Sequence, residues 1–146
     1  MTTKPTRLSN RPLEYLNSEH LQQAALIDWT NRPEIKERYP LLQWLYAVPN
    51  GGDRAMAVAV KMKAEGVKSG VPDLFLPAMQ FDKFYKGSGY HGFFIEMKYG
   101  QGKLSPEQKS FLEFVEIQGK FKVGVFYCWY DARDALIEYL EACQYG

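Results

Sequence analysis

Three charged side chains sit inside two apolar runs of this 146-residue chain: Asp73 in GVPDLFLP (residues 70–77), and Glu96 and Lys98 in FFIEMKYG (residues 93–100). Alternation along a strand puts Glu96 and Lys98 on one face, about 6.6 Å apart, with Met97 turned the other way. If the Asp73 strand pairs with the Glu96 strand, as their short connection suggests, the two carboxylates come close enough to grip one cation. Mg²⁺ prefers oxygen ligands and keeps several waters, so two acids and a backbone carbonyl, that of Met97 between Glu96 and Lys98, would suffice. Lys98 then stands where water is to be deprotonated, or where charge growing on a phosphate oxygen is to be neutralised. The chemistry this favours is phosphodiester hydrolysis.

The plain alternative is an exposed cross-strand ion pair worth at most about 1 kcal/mol. Context argues against it, because FFI before Glu96 and LFL after Asp73 are continuous apolar runs. Such runs suggest strands covered on both faces, where an unpaired charge is costly.

The elements that must position these residues are readable in part. Ser18 caps a first helix with Leu21, Ala24, Ala25 and Trp29 at helical spacing, and Asn31-Arg32-Pro33 ends it. LLQWLYAV (41–48) reads as a buried strand stopped by Pro49-Asn50-Gly51-Gly52. RAMAVAVKMKAEG reads as a helix closed by Gly66, and DLFLP and GFFIEMKY as two strands joined by about a dozen residues. Ser105, Pro106 and Gln108 form the start of a capped helix that ends at Gly119 and buries Phe111, Leu112 and Val115. FKVGVFYCWY is the next strand, and Asp131 is expected to cap a last helix that buries Ala135, Leu136, Tyr139 and Leu140. Mixed hairpin and crossover connections imply an α/β fold with a mixed sheet and helices on its faces.

Composition bounds the rest. Hydrophobic residues make up 46% and charged residues 24% of the chain, which predicts one globular domain over 1–146 with a core of about 18–140. No apolar run reaches the roughly 18 residues of a membrane span, and the first residues lack a secretory apolar core, so a cytoplasmic protein is expected. Cys128 and Cys143 fit no zinc or disulfide spacing and are expected to be reduced thiols. His20 and His91 have no partner spacing. Net charge is +1, but residues 53–103 carry eight Lys/Arg against five Asp/Glu, whereas residues 104–146 carry four against seven. A modest basic face and an acidic tail region follow.

PNGGDR, GVPDLFLP and FIEMKYGQGKLSPEQKSFL together resemble the VRR-NUC (virus-type replication-repair nuclease) family of the PD-(D/E)XK nuclease superfamily, over about residues 18 to 140. The resemblance implies a restriction-endonuclease-like central mixed β-sheet flanked by α-helices. It implies Asp73 and Glu96 as ligands of Mg²⁺ or Mn²⁺ and Lys98 as the catalytic lysine. Gln108 matches the family's glutamine after the lysine strand, and Glu19 an acid that supports the metal site directly or through water. It further implies a homodimer that cuts DNA, branched DNA such as four-way junctions above all.

Each supporting residue also has a plainer reading. Glu19 is favoured in any first helical turn by the macrodipole, and Gln108 could simply close a capping box. Arg54, Lys61, Lys63 and Lys68 could grip phosphates or form a solvated face. FDKFYKGSGYHG, with Lys83 and Lys86 among aromatics, could touch nucleic acid or pack on its own domain. Arg54, Lys61, Lys83, Lys86 and Lys103 are the candidate nucleic-acid contacts. The rival from another class is a binding module that keeps the fold and holds nucleic acid without cutting it; a hydrolase of RNA or small phosphodiesters is another.

Overall fold

A computed structural model describes residues 18–49, 55–81 and 89–143. In chain order it contains α1 (Glu19–Thr30), α2 (Pro33–Arg38), a 3-10 turn (Pro40–Trp44), β1 (Tyr46–Ala47), α3 (Met56–Ala64), β2 (Leu74–Leu76), β3 (Gly92–Met97), α4 (Pro106–Gln118), β4 (Phe121–Phe126) and α5 (Trp129–Glu141). The sheet runs β1-β2-β3-β4, antiparallel at the first two pairings and parallel at β3/β4. The mixed sheet and its flanking helices are those the sequence predicts. Among the described residues no helix is long and apolar enough to cross a membrane.

Period-two alternation divides the sheet into two faces. Leu74 and Leu76 of β2 and Phe93, Ile95 and Met97 of β3 are fully buried, in one cluster with Leu26 and Trp29 of α1 and Leu136, Tyr139 and Leu140 of α5. The intervening residues turn the other way. There Phe75 stacks obliquely on Phe94 at 4.4 Å, and Phe111 of α4 meets Phe94 edge-on at 5.4 Å. Asp73, Glu96 and Lys98 belong by parity to this α4-facing side.

Helix ends follow local chemistry where the sequence carries a cap. Ser18 Oγ accepts the Leu21 N–H, and Gly119 closes α4 at φ +68°. Gly66, at φ +100°, follows α3. Two expectations fail. Residues 41–48 are not a buried strand: Pro40 starts a 3-10 turn, preceded by the unexpected α2, and only the exposed pair Tyr46–Ala47 reaches the sheet. Proline's fixed φ suits a first helical position, and an apolar run without alternation does not separate strand from turn. Nor does Asp131 cap α5. The N-cap is Cys128, whose thiol donates to Asp131 Oδ2 at 2.8 Å inside the first turn. The buried stripe of α5 accordingly includes Ala132, with Ala135 only half-buried. Cys128 and Cys143 are both free thiols.

Candidate functional site

The β2/β3 register sets the distance between the two acids. Leu74 lies opposite Ile95 and Phe75 opposite Phe94, so one step further along the antiparallel pair Asp73 lies opposite Glu96. Regular strand pairing stops there, and the Asp73 side chain continues it: Oδ2 accepts the Met97 N–H at 2.8 Å. The Asp73 carbonyl accepts the Val48 N–H at 2.8 Å on the other side. Asp73 is thus held from both neighbouring strands. Gly70 brings its segment against α4: at φ +93° a Cβ there would sit 2.7 Å from the Glu107 carbonyl carbon and oxygen.

Glu96 is 2% exposed and Lys98 6%. Lys98 Nζ lies 3.8 Å from Glu96 Oε1 and 3.8 Å from Glu19 Oε1, so the ammonium bridges β3 and the first turn of α1. Gln108 serves two purposes at once. Its Oε1 accepts the Ser105 N–H at 2.8 Å, closing the capping box, and its Nε2 donates to Glu96 Oε1 at 2.9 Å. The capping box and the contact to the buried acid are therefore not alternatives.

Glu96 Oε2 is buried with no hydrogen-bond donor. Burial, and next the charge of Asp73, push the Glu96 carboxyl up to about 8; Lys98 pulls the other way and is outweighed. The orphan oxygen and the raised value have one cause. Two carboxylates facing each other in a dry place need a positive particle between them, either a proton shared with Asp73 or a cation. The donor set, all carboxylate and carbonyl oxygen, is of the hard type that Mg²⁺ and Mn²⁺ take. The residues therefore fit a divalent cation at Asp73 and Glu96. Among the described residues no group of three or more His, Cys, Asp or Glu side chains is placed to hold a metal ion, and Glu19 faces the Lys98 ammonium. The Met97 side chain is buried in the core and its N–H is taken by Asp73, which leaves the backbone oxygen as its one possible donor.

The other predicted residues are spread more widely. Lys61 and Lys63 are exposed on α3, Lys68 lies exposed beyond it, and Lys103 is exposed in the turn after β3. Arg54, Lys83 and Lys86 lie outside the described residues. Two residues near the site escape sequence reading. Gln22, buried on α1, accepts the Trp129 N–H at 2.7 Å and so ties the helix bearing Glu19 to the start of α5. Its signal is a polar residue at helical spacing with Ala25, Leu26 and Trp29. Tyr127, just past β4, donates to the Gly102 carbonyl at 2.9 Å, and nothing local in the sequence announces it.

The model of the VRR-NUC domain family matches residues 17–128. A solved structure described as a VRR_NUC domain protein is similar over 85% of this chain and 88% of that one, at 27% identity and a TM-score of 0.63. No curated protein matches the chain.

Proposed function

The chain belongs to the VRR-NUC domain family, a family of nuclease domains, and from that premise we propose a divalent-metal-dependent endonuclease that hydrolyses phosphodiester bonds in DNA, selecting branched forms such as four-way junctions. The observation that carries the reading is the buried Glu96, facing Asp73 with an oxygen that has no donor, beside the Lys98 ammonium.

Asp73 and Glu96 would hold Mg²⁺ or Mn²⁺, Asp73 being fixed by the Met97 N–H and Glu96 by the Gln108 amide. When bound, such an ion would screen phosphate charge and make water more acidic. The protein's own groups supply position. Lys98, held between Glu96 and Glu19, orients the attacking water and offsets negative charge gathering on the non-bridging phosphate oxygens. Water oxygen bonds to phosphorus as the P–O3′ bond breaks; the proton lost by water leaves to solvent, and the departing O3′ takes one back to end as a hydroxyl. Gln108 keeps Glu96 Oε1 turned toward Lys98 throughout. Lys61 and Lys103, exposed on α3 and beyond β3, would meet the backbone of the substrate with Arg54, Lys83 and Lys86.

A homodimer completes the reading, because two sites related by a two-fold axis can cut two strands. Support comes from α3, a nine-residue helix with no buried residue, in which Met56 is 83% and Val60 63% exposed. So short a helix is not stable by itself in water and needs a partner surface. Met56, Val60 and Lys63 share one side at helical spacing, and α4 presents exposed Phe114 and Ile117 beside Glu113, an apolar stripe of opposite charge.

Incubating four-way junction and linear duplex DNA with Mg²⁺ or Mn²⁺ tests the proposal. Cleavage of the junction by wild type, abolished in Asp73→Asn and Lys98→Ala, is expected. Binding without cleavage under every metal condition would leave the rival, a non-catalytic nucleic-acid-binding module.

A further inference from the structure

Between Lys98 and α4 the chain makes a tight turn that touches the site from outside. Gly100 takes φ +58°, and the Gly102 N–H closes the turn on the Tyr99 carbonyl at 3.0 Å. A Cβ at Gly102 would lie 3.4 Å from Glu19 Oε1 and 3.7 Å from Lys98 Cδ, so this stretch of backbone forms one wall around the lysine side chain. The Gly102 carbonyl accepts the hydroxyl of Tyr127 at 2.9 Å.

The anchor comes from the neighbouring strand. Met97 pairs with Phe126 across the parallel β3/β4 ladder, and the Lys98 N–H donates to the Phe126 carbonyl at 2.8 Å. Tyr127 is the next residue, so the strand that holds the Lys98 backbone also holds, one residue later, the turn that confines the Lys98 side chain. Two glycines leave that turn with more backbone freedom than any other residue type would, and a hydrogen bond at its last glycine removes part of it.

We propose that Tyr127 is a positioning residue: by pinning the Gly102 carbonyl it keeps the 99–102 turn against Lys98 and Glu19, and so keeps the ammonium aimed into the space beside Glu96. Tyr127 touches neither the acids nor the substrate in this role; it acts through the turn. The inference rests on the nuclease reading for its kinetic consequence but not for its structural one.

The test is Tyr127→Phe, which removes one hydroxyl and leaves the ring. Amide hydrogen exchange at residues 99–103 is expected to quicken while exchange in β3, β4 and α4 stays as in wild type. On cleavable DNA, kcat is expected to fall roughly three- to tenfold, the scale of one ordering hydrogen bond, with KM within about twofold. Gly102→Ala, whose Cβ would press at 3.1 Å on the Tyr99 carbonyl oxygen that closes the turn, should lower kcat in the same way, and the double variant should be no worse than the poorer single, since both displace one turn. Unchanged exchange at the turn overturns the clamp, whether or not the wild type cleaves. Quickened exchange with wild-type kcat, or a change confined to KM, overturns the positioning role. Failure of the nuclease reading itself is separate and visible as an inactive wild type.

Discussion

Gln108 donates from Nε2 to Glu96 Oε1 at 2.9 Å while its Oε1 accepts the Ser105 N–H at 2.8 Å, so one side chain couples the start of α4 to the buried acid of β3. The amide is suited to this because it carries a donor and an acceptor on one rigid plane. Glutamate keeps only the acceptor. Gln108→Glu should therefore preserve the capping box and add a favourable first-turn charge, keeping the start of α4 as firm as in wild type. It sets a second negative charge against Glu96 in place of a donor, and cleavage should fall by about tenfold or more. Gln108→Ala should lose both functions, with a stability loss of about 1 kcal/mol as well as reduced activity. Paired thermal melts and cleavage rates separate the two; equal activity of Gln108→Glu and wild type would remove the glutamine from the mechanism.

The Glu96 carboxyl gives a stability signature without any substrate. Its value is raised from 4.5 to about 8, so the folded protein binds this proton more tightly than the unfolded chain does. The associated stabilisation is complete below about pH 4.5 and is lost as pH rises through 8, the reverse of a salt-bridged carboxylate. Glu96→Gln keeps an oxygen for Gln108 and replaces the ionisable oxygen with a donor able to face Asp73. It should match or exceed wild-type stability at pH 8 without added metal, by roughly 1 to 4 kcal/mol, with the difference shrinking toward pH 5. Denaturant melts of both proteins across that range in a chelating buffer make the measurement. A wild type that gains on the variant as pH rises would contradict the burial argument.

Cation binding should report the same proton. A divalent ion at Asp73 and Glu96 needs both carboxylates charged, so Mn²⁺ binding should release about one proton at pH 6.5 and less above pH 8. Calorimetric titration in buffers of differing ionisation enthalpy reads that count. Asp73→Asn keeps an acceptor for the Met97 N–H but removes a charge, and should weaken Mn²⁺ by at least about tenfold without unfolding the protein. Tight binding to this variant would place the ion elsewhere.

How much of this was legible in the chain depends on where each partner lies. The convergence of Asp73, Glu96 and Lys98 follows from strand parity and one short connection, both local in sequence, and Ser105 and Gln108 announce α4 by type and spacing. What was not legible is long-range. The Trp129 N–H at the start of α5 finds Gln22 on α1, so the helix begins without the cap that Asp131 was expected to supply. The partner of Tyr127 is a backbone carbonyl 25 residues away. Residues 41–48 misled for another reason: an apolar run with no alternation carries no period, and Pro40 tipped it into a 3-10 turn that leaves Trp44 and Tyr46 exposed.

The α3 helix makes the last prediction. Met56 and Val60 lie on one side of a helix that buries none of its residues, with Lys63 beside them, whereas α4 turns Phe114, Ile117 and Glu113 away from the core. If α3 of one copy lies on α4 of another, a two-fold axis makes both contacts at once, and the apolar pairs are covered while Lys63 meets Glu113. Light scattering at micromolar concentration should then give twice the mass of the chain, and Val60→Glu should halve it while costing far-ultraviolet circular dichroism no more than the nine residues of α3, since the side chain touches no core. Lys63→Glu alone should weaken association, and adding Glu113→Lys should restore it, because the swap rebuilds the pair with its signs reversed. A wild type of monomeric mass would discard the dimer outright. A dimer indifferent to Val60→Glu would keep the assembly and move its interface off α3.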